Sequence, residues 1–193
     1  MLIVASGSPA RQAMLRQAGL KCFAIPADID EGAVKAAFRG DAASLALALA
    51  KAKAAVIAES YPSARVIGAD QLLVCDGERF DKAASLAEAA AQLRRLSGRT
   101  HTLITAVCVQ QGEAAAWSNV AQARLTVRPL SEEFIAQYLQ AEGEALLGCV
   151  GAYRLEGLGA QLFETIEGDF FTILGLNLLP LLGFLRGAGV LAH

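Results

Sequence analysis

The chain is expected to fold as α/β, with a mixed and twisted sheet and flanking helices. Three observations carry this expectation. Segments with strand character alternate along the chain with segments of helical spacing, the order that builds layered sheet-and-helix folds. Inside that alternation lies a hairpin signal, Asp76-Gly77 between two short runs, which brings antiparallel pairing into the sheet and argues against an all-parallel one. Finally, 193 residues that are 54% hydrophobic suit one domain, residues 1–193, with an ample core.

The elements follow in order. Met1 to Val4 read as a short buried strand, and Ser6-Gly7-Ser8 as a polar turn. Pro9 to Ala18 form a helix, because Ser8 is a good N-cap, Pro9 fits the first helical position and Gly19 stops it. Lys21 to Ile25 read as a strand, and the following PADIDEG segment as a turn carrying Asp28, Asp30 and Glu31. Ser44 to Ser60 is an alanine-rich helix capped by Ser44 and closed by Tyr61-Pro62. Ala64 to Asp70 is a short buried strand ending at Asp70, and Leu72 to Phe80 a hairpin about Asp76-Gly77. Leu86 to Leu96 is a helix stopped by Ser97-Gly98. Thr100 to Gln110 is a strand, and Ala115 to Arg128 holds at least one more. Ser131 opens a further helix, with Glu132 and Glu133 in its acidic first turn. A loop around Gly148 to Gly159 leads to a strand at Ala160 to Ile166. A turn at Glu167-Gly168-Asp169, a strand at Phe170 to Leu174 and a final helix complete the chain.

Composition excludes several classes. A formal charge of −2 offers no basic field for nucleic acid. The histidines, His101 and His193, are too few and too far apart for a histidine metal site. Cys22, Cys75, Cys108 and Cys149 are scattered, without a CxxC pair, and read as buried thiols of a reducing compartment. The N-terminus lacks a basic flank and its apolar run is short, which does not fit a signal peptide. Phe170 to Leu185 is very apolar, but Gly175, Asn177, Pro180 and Gly183 interrupt it. It falls short of the ~20 residues that a membrane span needs.

The polar residues that interrupt apolar segments are the candidates for chemistry. A helix N-terminus just after a strand presents unpaired N–H groups to an anion. Ser6 and Ser8 add hydroxyls there, and Arg11 adds a fork suited to phosphate. The same residues also describe a capped helix that binds nothing. Asp70-Gln71 lies between the apolar runs VIGA and LLVC. A carboxylate in such a place is paired, metal-bound or functional. Asp70 could equally cap a turn or pair with a nearby lysine. Lys82 and Lys53 would add positive charge, and Asp70 and Glu31 are oxygen ligands suited to Mg²⁺ or Mn²⁺. Neither GxxxxGK[ST] nor GxGxxG occurs.

Taken as an ordered set, the motifs resemble one family. LIVASGSPARQAML at the start is followed by Asp30-Glu31, then by Leu49-Ala50 with Lys53-Ala54, and then by Gly68-Ala69-Asp70-Gln71. Next come Asp81-Lys82, Ser97-Gly98-Arg99 with His101 and Thr105, Gly151-Ala152-Tyr153 with Glu156-Gly157, and Gly168-Asp169 before Gly175-Leu176. This set, spread over nearly the whole chain, resembles the Maf family of nucleoside triphosphate pyrophosphatases. The resemblance implies a two-lobed α/β fold around a central cleft, similar to that of inosine triphosphate pyrophosphatases. It implies hydrolysis of a nucleoside triphosphate to the monophosphate plus diphosphate with a divalent metal, Mg²⁺ or Mn²⁺. Asp70 would be the general base, Ser6, Ser8, Arg11, Lys53, Gln71, Lys82 and Glu156 the substrate-binding residues, and Glu31 and Asp70 the metal ligands. It further points to a cytoplasmic homodimer acting in nucleotide-pool housecleaning, with no nucleic acid or membrane partner. A dTTP/UTP pyrophosphatase, or a non-enzymatic, nucleotide-binding regulator of septum formation, is the alternative.

Gln71 and Glu156 resemble the 7-methyl-GTP subgroup and not the dTTP/UTP subgroup, where Thr and Gln are expected. A carboxylate at Glu156 would accept from guanine N1–H and the 2-amino group and suit an N7-methylated, cationic base. Alternatively, Glu156 pairs with Arg154 alone. The chain also departs from the family pattern. Ala10 stands where relatives carry Arg or Trp, and Ala83 and Asn177 stand where prolines are usual. The last two are expected to alter loop stiffness and not chemistry.

Overall fold

A computed structural model describes residues 1–192; His193 lies outside the described residues. The elements are β1 (Leu2–Val4), α1 (Pro9–Gln17), β2 (Phe23–Ala24), α2 (Glu31–Ala37), α3 (Ala42–Ser60), β3 (Arg65–Cys75), β4 (Glu78–Phe80) and α4 (Leu86–Leu96). They continue with β5 (Thr100–Gln111), β6 (Ala114–Val127), α5 (Glu132–Glu142), 3₁₀ turns at Gly143–Gly148 and Leu158–Leu162, β7 (Phe163–Glu167), α6 (Phe170–Ile173) and α7 (Leu178–Gly187). The strands form one seven-stranded sheet in the order β2-β1-β3-β5-β6-β7, with β4 paired to β3. β1 runs parallel to β2 and β3, while β3–β4 and β6–β7 are antiparallel. The mixed α/β expectation is met. No helix among the described residues is long and apolar enough to cross a membrane.

Four local readings are corrected. The segment after Asp30 is a helix and not a turn: Asp30 caps α2 by accepting from the Ala33 N–H at 2.8 Å, and Gly32 had masked the helical signal. Asp41, not Ser44, caps α3, accepting from the Ser44 N–H at 2.7 Å. β3 runs unbroken through Asp70, so that residue is mid-strand. The expected strand at Phe170 to Leu174 is the short helix α6. A short apolar run does not distinguish the two conformations. Gly168 and Gly175 bound it, with φ of +134° and +94°.

The chain divides into two compact units. The first comprises Met1–Gln71, Thr105–Ala121 and the segment from Phe170 onward. Its core joins Leu2, Val4 and Ile67 to Leu15 of α1 and to Leu181 and Leu185 of α7. On the other face of β3 lies α3. A Cβ on Gly68 would come within 2.1 Å of the Ala50 carbonyl oxygen and 2.9 Å of the Ala54 Cβ, so only glycine permits this approach. Residues two apart on a strand share a face, and Asp70 therefore turns toward α3 as well.

The second unit comprises Leu72–Ile104 and Gln122–Asp169. Ser85 caps α4 and Ser131 caps α5, and Arg94 of α4 makes a two-pronged bond to Glu132 of α5. Its interior holds an aromatic group. His101 Nε2 lies 2.7 Å from the Tyr153 hydroxyl, and the Tyr153 ring meets Phe163 edge-on at 4.9 Å. Burial lowers the His101 pKa to about 4, and its Nδ1 has no partner among the described residues.

The His101 imidazole is thus neutral when folded, whereas the unfolded chain takes up a proton below the ordinary value of 6.5. This stabilisation is fully present above that value and is lost as pH falls from 6.5 toward 4. The loss is on the order of 2–3 kcal/mol. Urea unfolding of wild type at pH 7 and pH 4.5 should show it, and His101→Gln should lack this part of the fall.

Candidate active site

The start of α1 is built as the sequence implies. Ser8 caps the helix with its Oγ accepting from the Arg11 N–H at 3.4 Å, and Pro9 takes the first turn. Ser6 is buried, and its Oγ accepts from the Ser8 N–H at 3.2 Å and from Arg11 Nη1 at 3.4 Å. Arg11 Nε donates to the Gly175 carbonyl at 2.7 Å. Ser6, Ser8 and Arg11 are therefore one connected group. Burial draws the Arg11 pKa below its ordinary value, while the charges of Asp70 and Glu31 oppose that shift. The guanidinium thus shares its surroundings with both carboxylates.

Asp70 is only 5% exposed. Lys53 reaches it from α3, with Nζ 2.6 Å from Asp70 Oδ1 and 2.7 Å from Glu31 Oε1. Each part follows from the fold. The glycine contact seats α3 on β3, and the Asp30 cap starts α2 at Glu31. Asp70 does pair with a lysine, and the same lysine also gathers Glu31. Among the described residues no group of three or more His, Cys, Asp or Glu is placed to hold a metal. The donor set nonetheless suits a hard divalent cation that completes its shell with phosphate oxygens. Two carboxylates converge on one cationic point, and Mg²⁺ is commonly held by one or two carboxylates together with substrate phosphates.

Gln71 points to the opposite face of β3. Its Nε2 donates to Thr105 Oγ1 at 2.9 Å and to the Thr172 and Ile173 carbonyls at 3.0 Å each. In the second unit, Lys82 is exposed and bridges Val150. Glu156 Oε1 lies 3.4 Å from Arg154 Nε, and Arg154 Nη1 lies 3.1 Å from the buried Glu142. Lys82 and Glu156 are near neighbours of one thiol. Burial raises the Cys149 pKa, Glu156 raises it further and Lys82 opposes the rise.

Sequence reasoning missed several contributors. The Gly175 carbonyl that orients Arg11 carries no side-chain signal. Asn177 was expected to alter loop stiffness alone. Instead it is fully buried, and its Nδ2 donates to the Thr105 carbonyl and to Asn119 Oδ1 at 2.9 Å each. Thr172 Oγ1 donates to Asn177 Oδ1 at 3.3 Å. A proline could make none of these bonds. The available signal was a lone amide inside an apolar run.

A mixed α/β sheet carrying a serine- and arginine-lined helix start beside a lysine-bridged carboxylate pair defines a protein suited to phosphate-bearing ligands. Comparison with known proteins narrows the class. The family model described as Maf-like protein matches residues 1–188, and the chain belongs to that family. A nucleoside triphosphate pyrophosphatase of Granulibacter bethesdensis is 53% identical over 188 residues, covering 96% of this chain and 95% of the relative. A protein of Rhizobium etli named 7-methyl-GTP pyrophosphatase is 49% identical over 193 residues, covering 98% and 97%. One of the same name from Rhizobium meliloti is 47% identical over 194 residues, covering 99% and 98%.

The lysine bridge has a measurable consequence. Lys53→Met strands the Asp70 carboxylate away from water and should cost about 3 kcal/mol in urea unfolding. Adding Asp70→Asn to that variant should recover part of the loss, because the buried charge then disappears with its partner.

Proposed function

We propose that the protein hydrolyses a nucleoside triphosphate to the monophosphate and diphosphate, with 7-methyl-GTP as the preferred substrate, in the cytoplasm. The observation that carries this reading is the buried Asp70, held by Lys53 beside Glu31 and sharing its surroundings with Arg11. The reading is supported by two carboxylates and two cations in common surroundings, one carboxylate being buried. Full-length relatives carrying pyrophosphatase names support the same reaction.

Water attacks the α-phosphorus. A new P–O bond forms, the α–β phosphoanhydride bond breaks, and diphosphate leaves with the electron pair. Asp70 takes the proton from the attacking water, assistance typically worth ~10²–10⁴-fold. Ser6, Ser8 and Arg11 hold phosphate oxygens at the helix start, where the hydroxyls, the N–H groups and the guanidinium are all donors. Lys53 is released from the carboxylates toward the phosphates as their charge arrives. Asp70 and Glu31 would hold Mg²⁺ or Mn²⁺, which would supply charge neutralisation on the phosphates.

Glu156 is assigned the base. Its link to Arg154 is long, and Arg154 has a closer partner in Glu142, so Glu156 has acceptor capacity for a purine edge. A carboxylate accepts from N1–H and the 2-amino group of guanine and favours a cationic, N7-methylated ring over a neutral one.

Purified protein with Mg²⁺ or Mn²⁺ should release diphosphate from triphosphates, with kcat/KM highest on 7-methyl-GTP among 7-methyl-GTP, GTP, dTTP and UTP. Asp70→Asn should abolish release while the folded far-UV signature persists. A higher kcat/KM on dTTP or UTP would overturn the base assignment. Full activity in Asp70→Asn would overturn the mechanism. Tight nucleotide binding without release from any triphosphate would favour a binding regulator.

A further inference from the structure

We infer that Gln71 is a positioning residue for Asp70 and not a reader of the base, an inference that rests on the pyrophosphatase reading above. Asp70 and Gln71 are consecutive on β3, so their side chains leave opposite faces of the sheet. Asp70 faces α3, where it meets Lys53. Gln71 faces the side of α6, together with Ala69, which packs into the core of Leu176, Leu178 and Leu181. The two donors of its amide are committed to Thr105 Oγ1, the Thr172 carbonyl and the Ile173 carbonyl. Thr105 Oγ1 in turn donates to the Thr172 carbonyl at 2.9 Å. Asn177 closes the group by holding the Thr105 carbonyl and accepting from Thr172.

This network does one thing for the reaction. It pins β3 to β5 and α6 at the residue next to the base, and so fixes the direction from which the Asp70 carboxylate approaches. Two carbonyls and the Thr105 hydroxyl as acceptors leave the amide nitrogen no hydrogen for a nucleobase. The position therefore influences turnover through the placement of Asp70, whichever base is bound. This replaces the expectation that Gln71 touches substrate.

The test compares wild type with Gln71→Met, Thr105→Val and the double variant on 7-methyl-GTP, GTP and UTP. Gln71→Met and Thr105→Val should each lower kcat, roughly ten- to hundredfold in Gln71→Met, with KM little changed and the ratios of kcat/KM among the three nucleotides preserved. The double variant should be no slower than Gln71→Met, because the two groups act as a unit. The rise in Tm on adding each nucleotide should keep its wild-type ranking in every variant. A Gln71→Met protein whose nucleotide ranking changes, in kcat/KM or in Tm, overturns the inference, as does one with unchanged kcat. Wild-type protein that neither releases diphosphate nor gains Tm with any nucleotide overturns the functional reading itself, and this inference with it.

Discussion

The closeness of α3 to β3 at Gly68 is the constraint on which the site depends. A helix and a strand ordinarily keep a side chain between them. Here the strand presents a hydrogen atom and the helix presents its own backbone, 2.1 Å from where a Cβ would stand. The helix is thereby seated deeply enough that Lys53, one turn beyond Ala50, reaches a carboxylate in the middle of a buried strand. Without that seating, Asp70 would be a desolvated charge with no near ammonium, an arrangement that folding disfavours strongly. The same ammonium draws in Glu31 from α2. A small-residue contact thus determines the electrostatics of three elements at once.

Much of this was legible beforehand because it is written in local chemistry. The serine cap and proline of α1 state where the helix starts. The Asp76-Gly77 turn is also explicit, with Asp76 and Gly77 at φ of +51° and +81°. The limits of α4 and the serine cap of α5 read correctly for the same reason. Asp70 stood out because an acidic residue in an apolar run demands an explanation. Its position within one unbroken strand did not, because Gly68 and Gln71 look like interruptions until their partners are known.

What stayed hidden depends on long-range contacts. The partners of Gln71 lie 34, 101 and 102 residues away, and nothing local announces them. Asn177 looked like a change in loop stiffness because proline and asparagine are both common in turns. In place it is a buried amide joining separate strands to α6. The α6 segment misled for a different reason. Two phenylalanines, a threonine and an isoleucine favour a strand, but glycines in the left-handed region at either end confine the chain to a single helical turn.

Beside the hydroxyls of Ser6 and Thr105, main-chain oxygens hold Arg11 and Gln71, those of Thr172, Ile173 and Gly175. Every residue type supplies such an oxygen, so these bonds do not read the side chains at positions 172 and 173, whereas position 175 needs glycine for its φ of +94°. The alignment of Arg11 and of the strand bearing Asp70 is encoded in the path of the chain through one turn. Substitution at 172 or 173 would leave these main-chain bonds in place as long as the turn is kept. A single insertion or deletion would rotate those carbonyls away and release Arg11 and Gln71 without altering either residue or Asp70.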